Sequence, residues 1–268
     1  MMSAIKTTLT MRAKVAPITP WVLISSCLLF FIVFANAEEA NSPLAKAPTA
    51  EFHFARLIYT NDQRSYRGRG RSAWATDYPE AEFHLMDGVN RMTNIDLELV
   101  DYYGGGGRTI GLMDDHLFDY PWLYAVEVGQ WYLNDEEASR LREYLDRGGF
   151  LLVDDFWGPY EWQTFIGSMQ RVFPDRPIIE IADNDPVLSL MFEVDKQTQI
   201  PGIRGVRPGN VPYWRGIYDD QGQLMVAINF NMDMGDAWEH AADPRYPAAM
   251  TAAAYKFAVN YIVYSMTH

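Results

Sequence analysis

Cysteine is nearly absent from this chain. Of its 268 residues one is cysteine, Cys27, and it sits in an apolar N-terminal stretch that reads as a removable leader. A mature chain without Cys27 has no thiol, which excludes disulfides, thiolate catalysis and cysteine-ligated metal sites together. A G-x-S-x-G elbow is missing, so serine hydrolysis has no support either. The glycine run Gly104 to Gly107 matches neither G-x-G-x-x-G nor a phosphate-binding P-loop, and no lysine follows it; it reads as a strand exit. Positive charge is scarce: 22 Lys and Arg face 35 Asp and Glu, a net charge of −13. Such a surface repels nucleic acid and anionic lipid. There is no internal repeat and no low-complexity tract.

The first 37 residues differ from the rest. Lys6, Arg12 and Lys14 precede an apolar run from Trp21 to Ala35, followed by Ala35-Asn36-Ala37 and the acids Glu38 and Glu39. A basic start, an apolar middle and an A-x-A exit describe a secretory signal peptide over 1–37. The run is shorter than the roughly 20 residues of a spanning helix, so the expectation is cleavage and a periplasmic or secreted product; the alternative is an uncleaved anchor in the inner membrane. The leader carries three of the 22 basic residues and no acid, so the mature part has 19 against 35, a net −16. Residues 38–51 form a polar linker with Ala and Pro, and the globular part runs from 52 to 268.

Elements follow from periodicity. "FHFARLIY" (52–59) reads as a strand, Pro79 to Met92 as a helix, Leu97 to Tyr102 as a second strand and Leu123 to Val126 as a third. Asn134 with Glu137 three positions on makes a capping box. Leu141, Tyr144 and Leu145 then give an apolar stripe, and Gly148-Gly149 stops that helix. Phe150 to Val153 is unalternated, as in a strand covered on both faces. A helix over 160–172, a strand over 178–181 and a short helix over 186–192 follow. Tyr213 to Tyr218 and Gln223 to Phe230 flank a hairpin turn. A loop rich in Asp, Met and Trp leads to a closing helix over 247–266, with Ala252, Tyr255, Val259 and Ile262 spaced for one buried face. Strands alternating with helices predict an α/β fold with a mostly parallel, doubly wound sheet, a C-terminal hairpin and a final helix. Ligands of such sheets bind beyond the carboxyl ends of the strands. The loops after Tyr59, Tyr102, Val126 and Val153 are therefore expected to share one rim.

Several blocks resemble the bacterial DUF4159 family: "LIYTNDQ", "WATDYPEAEFHLMDGVNRMT", "GGFLLVDDFWGPYEW", "RVFPDRPI", "GDAWEHAADPRYP" and "NYIVYSMTH". The resemblance spans nearly all of 52–268. It implies a flavodoxin-like domain similar to class I glutamine amidotransferases, in which a nucleophilic cysteine occupies the turn after a central strand. Here that turn carries Asp154 and Asp155, so the scaffold is expected without thioester chemistry. The resemblance also implies association with MoxR-type ATPases and von Willebrand-type domains at the cell envelope.

The candidate site residues are few. Asp154 and Asp155 end the apolar strand. Being adjacent, they should point apart, so at most one faces a given pocket. One carboxylate there binds a cation or serves as a base; alternatively Asp154 caps the next helix or pairs with an arginine. Arg64, Arg67, Arg69 and Arg71, interleaved with Gly68 and Gly70, suit an anionic ligand or an acidic partner segment, or form a solvated loop. Trp74, Tyr78, Trp157 and Trp162 flank the rim and could stack on sugar rings or close the core. His84 shares a helix face with Glu80, Asp87 and Arg91, which reads as a metal-capable set or a salt-bridge ladder. His116 with Asp114 and Asp115 reads as a cation loop or a capped turn. No metal and no cofactor are assigned. Two functions remain. One is a non-catalytic envelope binding or assembly module for an anionic small molecule or protein partner, with Arg64, Arg67, Arg69, Arg71, Trp74, Asp155 and Trp157 at the ligand. The other is a metal-assisted hydrolase of envelope glycans or peptides, with Asp154, Asp155 and His84 as catalytic candidates.

Overall fold

A computed structural model describes residues 50–62, 72–102, 107–206 and 208–268. The leader, nearly all of the linker and the arginines 64, 67, 69 and 71 lie outside these residues. No helix among the described residues is long and apolar enough to cross a membrane.

Seven strands form the main sheet: β1 (Ala55–Ile58), β3 (Arg108–Gly111), β4 (Trp122–Val126), β6 (Phe150–Phe156), β7 (Ile179–Glu180), β8 (Tyr213–Tyr218) and β9 (Leu224–Phe230). Their order is β3-β1-β4-β6-β9-β8-β7. Two short strands, β2 (Thr60–Asn61) and β5 (Trp131–Tyr132), pair separately. The first five strands of that order run parallel, while β8 and β7 add an antiparallel edge. Counted in chain order, the parallel strands lie 2-1-3-4-5, the flavodoxin-like arrangement, whose switch point falls between β1 and β4.

Helices cover both faces. On one side lie α1 (Glu80–Met92), α4 (Met234–Glu239) and α5 (Ala248–Thr267), packed on Phe52, Phe54, Trp122, Tyr124, Phe150 and Leu152. On the other lie α2 (Asp135–Asp146) and α3 (Gly158–Val172), packed on Ala55, Leu57, Leu123, Ala125, Leu151 and Val153. The strand period of two divides the core in this way. The capping box forms as expected: Asn134 accepts from Glu137 N, Glu137 accepts from Asn134 N, and Gly148 leaves the helix at φ 93°.

Three expectations need correction. Leu97 to Tyr102 is not a strand; Leu97 makes only an isolated bridge to Phe52, and the edge strand is Arg108–Gly111 beyond the glycines. That edge buries Ile110 alone, too little to leave an apolar pattern. The loop after Phe230 contains α4, whose start is capped by Asp233 accepting from Asp236 N. In α5, Ala252 is exposed, and from Phe257 to Ile262 every residue is buried because this half packs on Phe150 and Trp214 of the sheet and is also covered by the segment 187–192, where Asn260 Oδ1 accepts from Met191 N and Phe192 N.

Candidate functional site

At the carboxyl ends of the central parallel strands the backbone is repeatedly driven into the left-handed region. Among the described non-glycine residues, φ is positive at Asp77 (60°), Glu127 (53°), Asp155 (50°) and Asn231 (61°). Glu127 follows β4, Asp155 bends the end of β6 where the register with β9 shifts, and Asn231 follows β9. Such conformations persist only where the surroundings impose them, and they gather at functional sites. The hydrogen bonds that impose them cross the rim. Tyr59 Oη donates to the carbonyls of Val126 (2.7 Å) and Glu127 (3.0 Å), bridging the switch point. Gly158 N donates to Asn231 Oδ1 at 2.9 Å. Asp62 N donates to Gln130 O at 2.7 Å and Ala73 N to Asn61 Oδ1 at 3.3 Å. The described residues on both sides of 63–71 thus stand on this rim.

Asp154 continues the face of Phe150 and Leu152 and is wholly buried. Its Oδ2 accepts from Met234 N (2.6 Å), Gly235 N (3.1 Å) and Tyr124 Oη (3.1 Å). It ties β6 to the start of α4, close to the capping alternative, although the helix it caps is α4 rather than the one that follows directly. Burial raises its carboxyl to about 7 despite those donors. Asp155 follows it at a positive φ of 50°, near the end of the strand. Its Oδ1 accepts from Trp157 Nε1 at 2.7 Å, and an oxygen of Asp155 lies within 4.8 Å of oxygens of both Asp77 and Asp233. Of the two adjacent acids only Asp155 belongs to this set; Asp154 is fully buried and its Oδ2 is taken by Met234, Gly235 and Tyr124.

Asp77, Asp155 and Asp233 are all raised well above the ordinary carboxylate range, first by burial. Asp236 adds repulsion at Asp77, Glu127 at Asp155, and Asp155 at Asp233. Two unit charges 4 Å apart repel by about 4 kcal/mol at an effective dielectric of 20. Glycines make the crowding feasible. A Cβ at Gly235 would fall 2.3 Å from Asp77 Oδ2, and one at Gly202 3.0 Å from Asp233 Oδ2 and 3.1 Å from Asp236 Oδ2. A second potential ligand set, Asp236, Glu239 and His240, adjoins through Asp236.

Beneath the hollow, fully buried Arg56 pairs with fully buried Glu82, Nε to Oε1 at 2.5 Å, and donates to the Thr76 carbonyl at 2.9 Å and the Trp74 carbonyl at 3.3 Å. Burial opposes the guanidinium charge, but Glu82, Tyr124 and Asp77 keep it protonated above its ordinary range. The sequence carries a signal for this pair in the arginine that interrupts the apolar strand "FHFARLIY".

The other candidates disperse. His84 Nδ1 donates to the carbonyls of Trp238 (2.9 Å) and Glu239 (3.0 Å), closing the end of α4. It lines a cleft of about 710 Å³ with Phe83, Gly88, Arg91 and Tyr255, a cleft to which neither Asp154 nor Asp155 contributes. His116 pairs with Asp119 at 2.8 Å on an exposed turn. Trp74 packs edge-on to Tyr78. Trp162 stacks on Phe156, lies against Phe230 and lines another cleft of about 280 Å³ with Phe173 and Ile217. Another cleft, about 480 Å³, lies at the opposite end of the sheet beside Gly149 and Phe150.

The fold and rim thus define a flavodoxin-like α/β domain with an acid-lined, backbone-strained carboxyl edge. The family model described as "Domain of unknown function (DUF4159)" matches residues 53–266, and the chain belongs to that family. A search of the curated proteins finds no match.

Proposed function

We propose that this domain is a binding and assembly module of the bacterial cell envelope, without chemistry of its own, that takes its ligand or partner at the carboxyl rim of the sheet. The observation that carries the reading is Asp155. At the sharp exit of the central strand, where the resemblance to amidotransferases implies a cysteine, the chain keeps a positive φ and presents a carboxylate fixed by Trp157. A carboxylate cannot form a thioester, but it holds a cationic group well in a low-dielectric hollow. The described lining is acidic, so an anionic small molecule or an acidic partner segment would enter through a bridging cation or through Arg64, Arg67, Arg69 and Arg71. MoxR-type ATPases and von Willebrand-type domains are the partners this reading proposes, in a periplasmic or membrane-anchored setting.

The test is to purify the protein from envelope fractions and identify co-purifying proteins and metabolites by mass spectrometry, beside Asp155→Asn and Arg67→Ala. Loss of a specific partner or metabolite in both variants supports the reading. An identical profile in all three proteins contradicts it.

A second reading, metal-assisted hydrolysis of envelope glycans or peptides, draws on the convergence of Asp77, Asp155 and Asp233. Asp155 is its natural base, since Asp154 is committed to Met234 and Gly235. Metal-dependent turnover of an envelope glycan or peptide, lost in Asp155→Asn, would favour it over the first.

A further inference from the structure

The rim brings together more carboxyl groups than the cations among the described residues pair with. Asp77 comes from the segment before α1, Asp155 from the end of β6 and Asp233 from the residue ahead of α4. One carboxylate oxygen of each lies within 4.8 Å of the others. Convergence from three separate segments is not the by-product of one helix face. Arg56 offsets Asp77 in part but is already paired with Glu82.

An independent observation points to a missing ligand. Asp154 Oδ1 and Asp77 Oδ2 are shielded from solvent and have no hydrogen-bond partner among the described residues. Asp154 is 0% exposed and adjoins Asp155 in the chain. Buried polar atoms are almost always satisfied by protein, water or an ion. The glycines at 202 and 235 give the carboxylates room that any side chain would take.

The donor set names the chemistry. Three carboxylates supply hard oxygen ligands without sulfur, which suits calcium, magnesium or manganese rather than soft metals. Three oxygens no more than 4.8 Å apart leave a central ion at most about 2.8 Å from each, so a shift of a few tenths of an ångström reaches the calcium–oxygen range of about 2.3–2.6 Å.

We propose that Asp77, Asp155 and Asp233 hold a hard divalent cation, of the calcium and magnesium class, at the carboxyl rim. The inference rests on the reading of that rim as the ligand face. Three side-chain ligands leave coordination positions open, and an oxygen anion of a small molecule or of an acidic partner segment can occupy them. An acid-lined hollow thereby becomes able to take an anion.

The test is isothermal titration of the purified, chelator-treated protein with calcium, magnesium and zinc, alongside Asp77→Asn, Asp155→Asn and Asp233→Asn. Asparagine tolerates the left-handed backbone at 77 and keeps a capping oxygen at 233. The expected result is one saturable calcium or magnesium event per chain, weakened roughly tenfold or more in each variant whose circular dichroism matches wild type. No binding at millimolar calcium or magnesium overturns the proposal, as does undiminished binding in the folded variants. If the cation binds and the variants lose it while the co-purifying profile stays that of wild type, the cation site stands and the ligand-face reading fails. The opposite pair of results removes the cation and keeps the ligand face.

Discussion

Asp77 occupies the space a side chain would need at Gly235: a Cβ there would fall 2.3 Å from Asp77 Oδ2 and 3.0 Å from Tyr124 Oη. The carboxylate is pressed against the backbone at the first turn of α4, beside the N–H groups that Asp154 caps. Gly235→Ala is therefore expected to push Asp77 out of the hollow. Overpacking of this kind costs about 1–3 kcal/mol, read as a lower urea midpoint, and calcium affinity should fall with it. Unchanged stability and affinity would show that Asp77 is not held there.

The Arg56–Glu82 pair lies under the site with neither side chain exposed. Removing one partner strands a buried charge, so Arg56→Met alone and Glu82→Leu alone should each cost about 3–5 kcal/mol. The double replacement should recover much of that loss, because a buried pair often does no better than apolar packing. Urea denaturation of the four proteins checks this; additive losses in the double variant would contradict it.

Stability at acid pH should depend on Glu98. Arg108 and His53 both hydrogen-bond its carboxylate, Arg108 at 2.5 Å through Nη2 and His53 at 2.6 Å. The Arg108 bond first, against partial burial and helped by His53, holds Glu98 below its ordinary value of 4.5. A carboxyl with a depressed folded pKa stabilises the protein above its unfolded pKa, and the contribution fades as pH falls through the folded value. The gap in urea midpoint between wild type and Glu98→Gln should be full at pH 6 and narrow progressively below about 4.5. A gap independent of pH would assign the effect to packing.

Asn134→Ala removes the capping box ahead of α2, in which side chain and backbone of Asn134 and Glu137 bond reciprocally at 2.9 Å. The expected cost is about 1 kcal/mol, measured by the same urea midpoints, with no effect on cation binding because α2 lies on the opposite face of the sheet from α1 and α4.

What the sequence discloses divides along physical lines. The cap at Asn134, the stop at Gly148, the unalternated run into Asp154 and the hairpin between β8 and β9 are local signals, and each appears in the structure. Edge strand β3 buries one residue and leaves no pattern, so the more apolar 97–102 reads as the strand instead. The site itself is a long-range object. Asp77, Asp155 and Asp233 are 78 or more positions apart, taken pairwise, and their meeting depends on a positive φ at Asp155 that no spacing rule reveals. Asp154 and Asp155 were legible because they end a covered strand. Asp77 and Asp233 were not, since each stands in a stretch that reads as an ordinary polar loop.

The most direct measurement is an anomalous difference map from crystals of the protein grown with manganese. The account predicts a peak about 2.0–2.6 Å from oxygens of Asp77, Asp155 and Asp233, the range of magnesium and calcium contacts. A map of comparable quality with no peak there, or with the ion only at Asp236, Glu239 and His240, would contradict it.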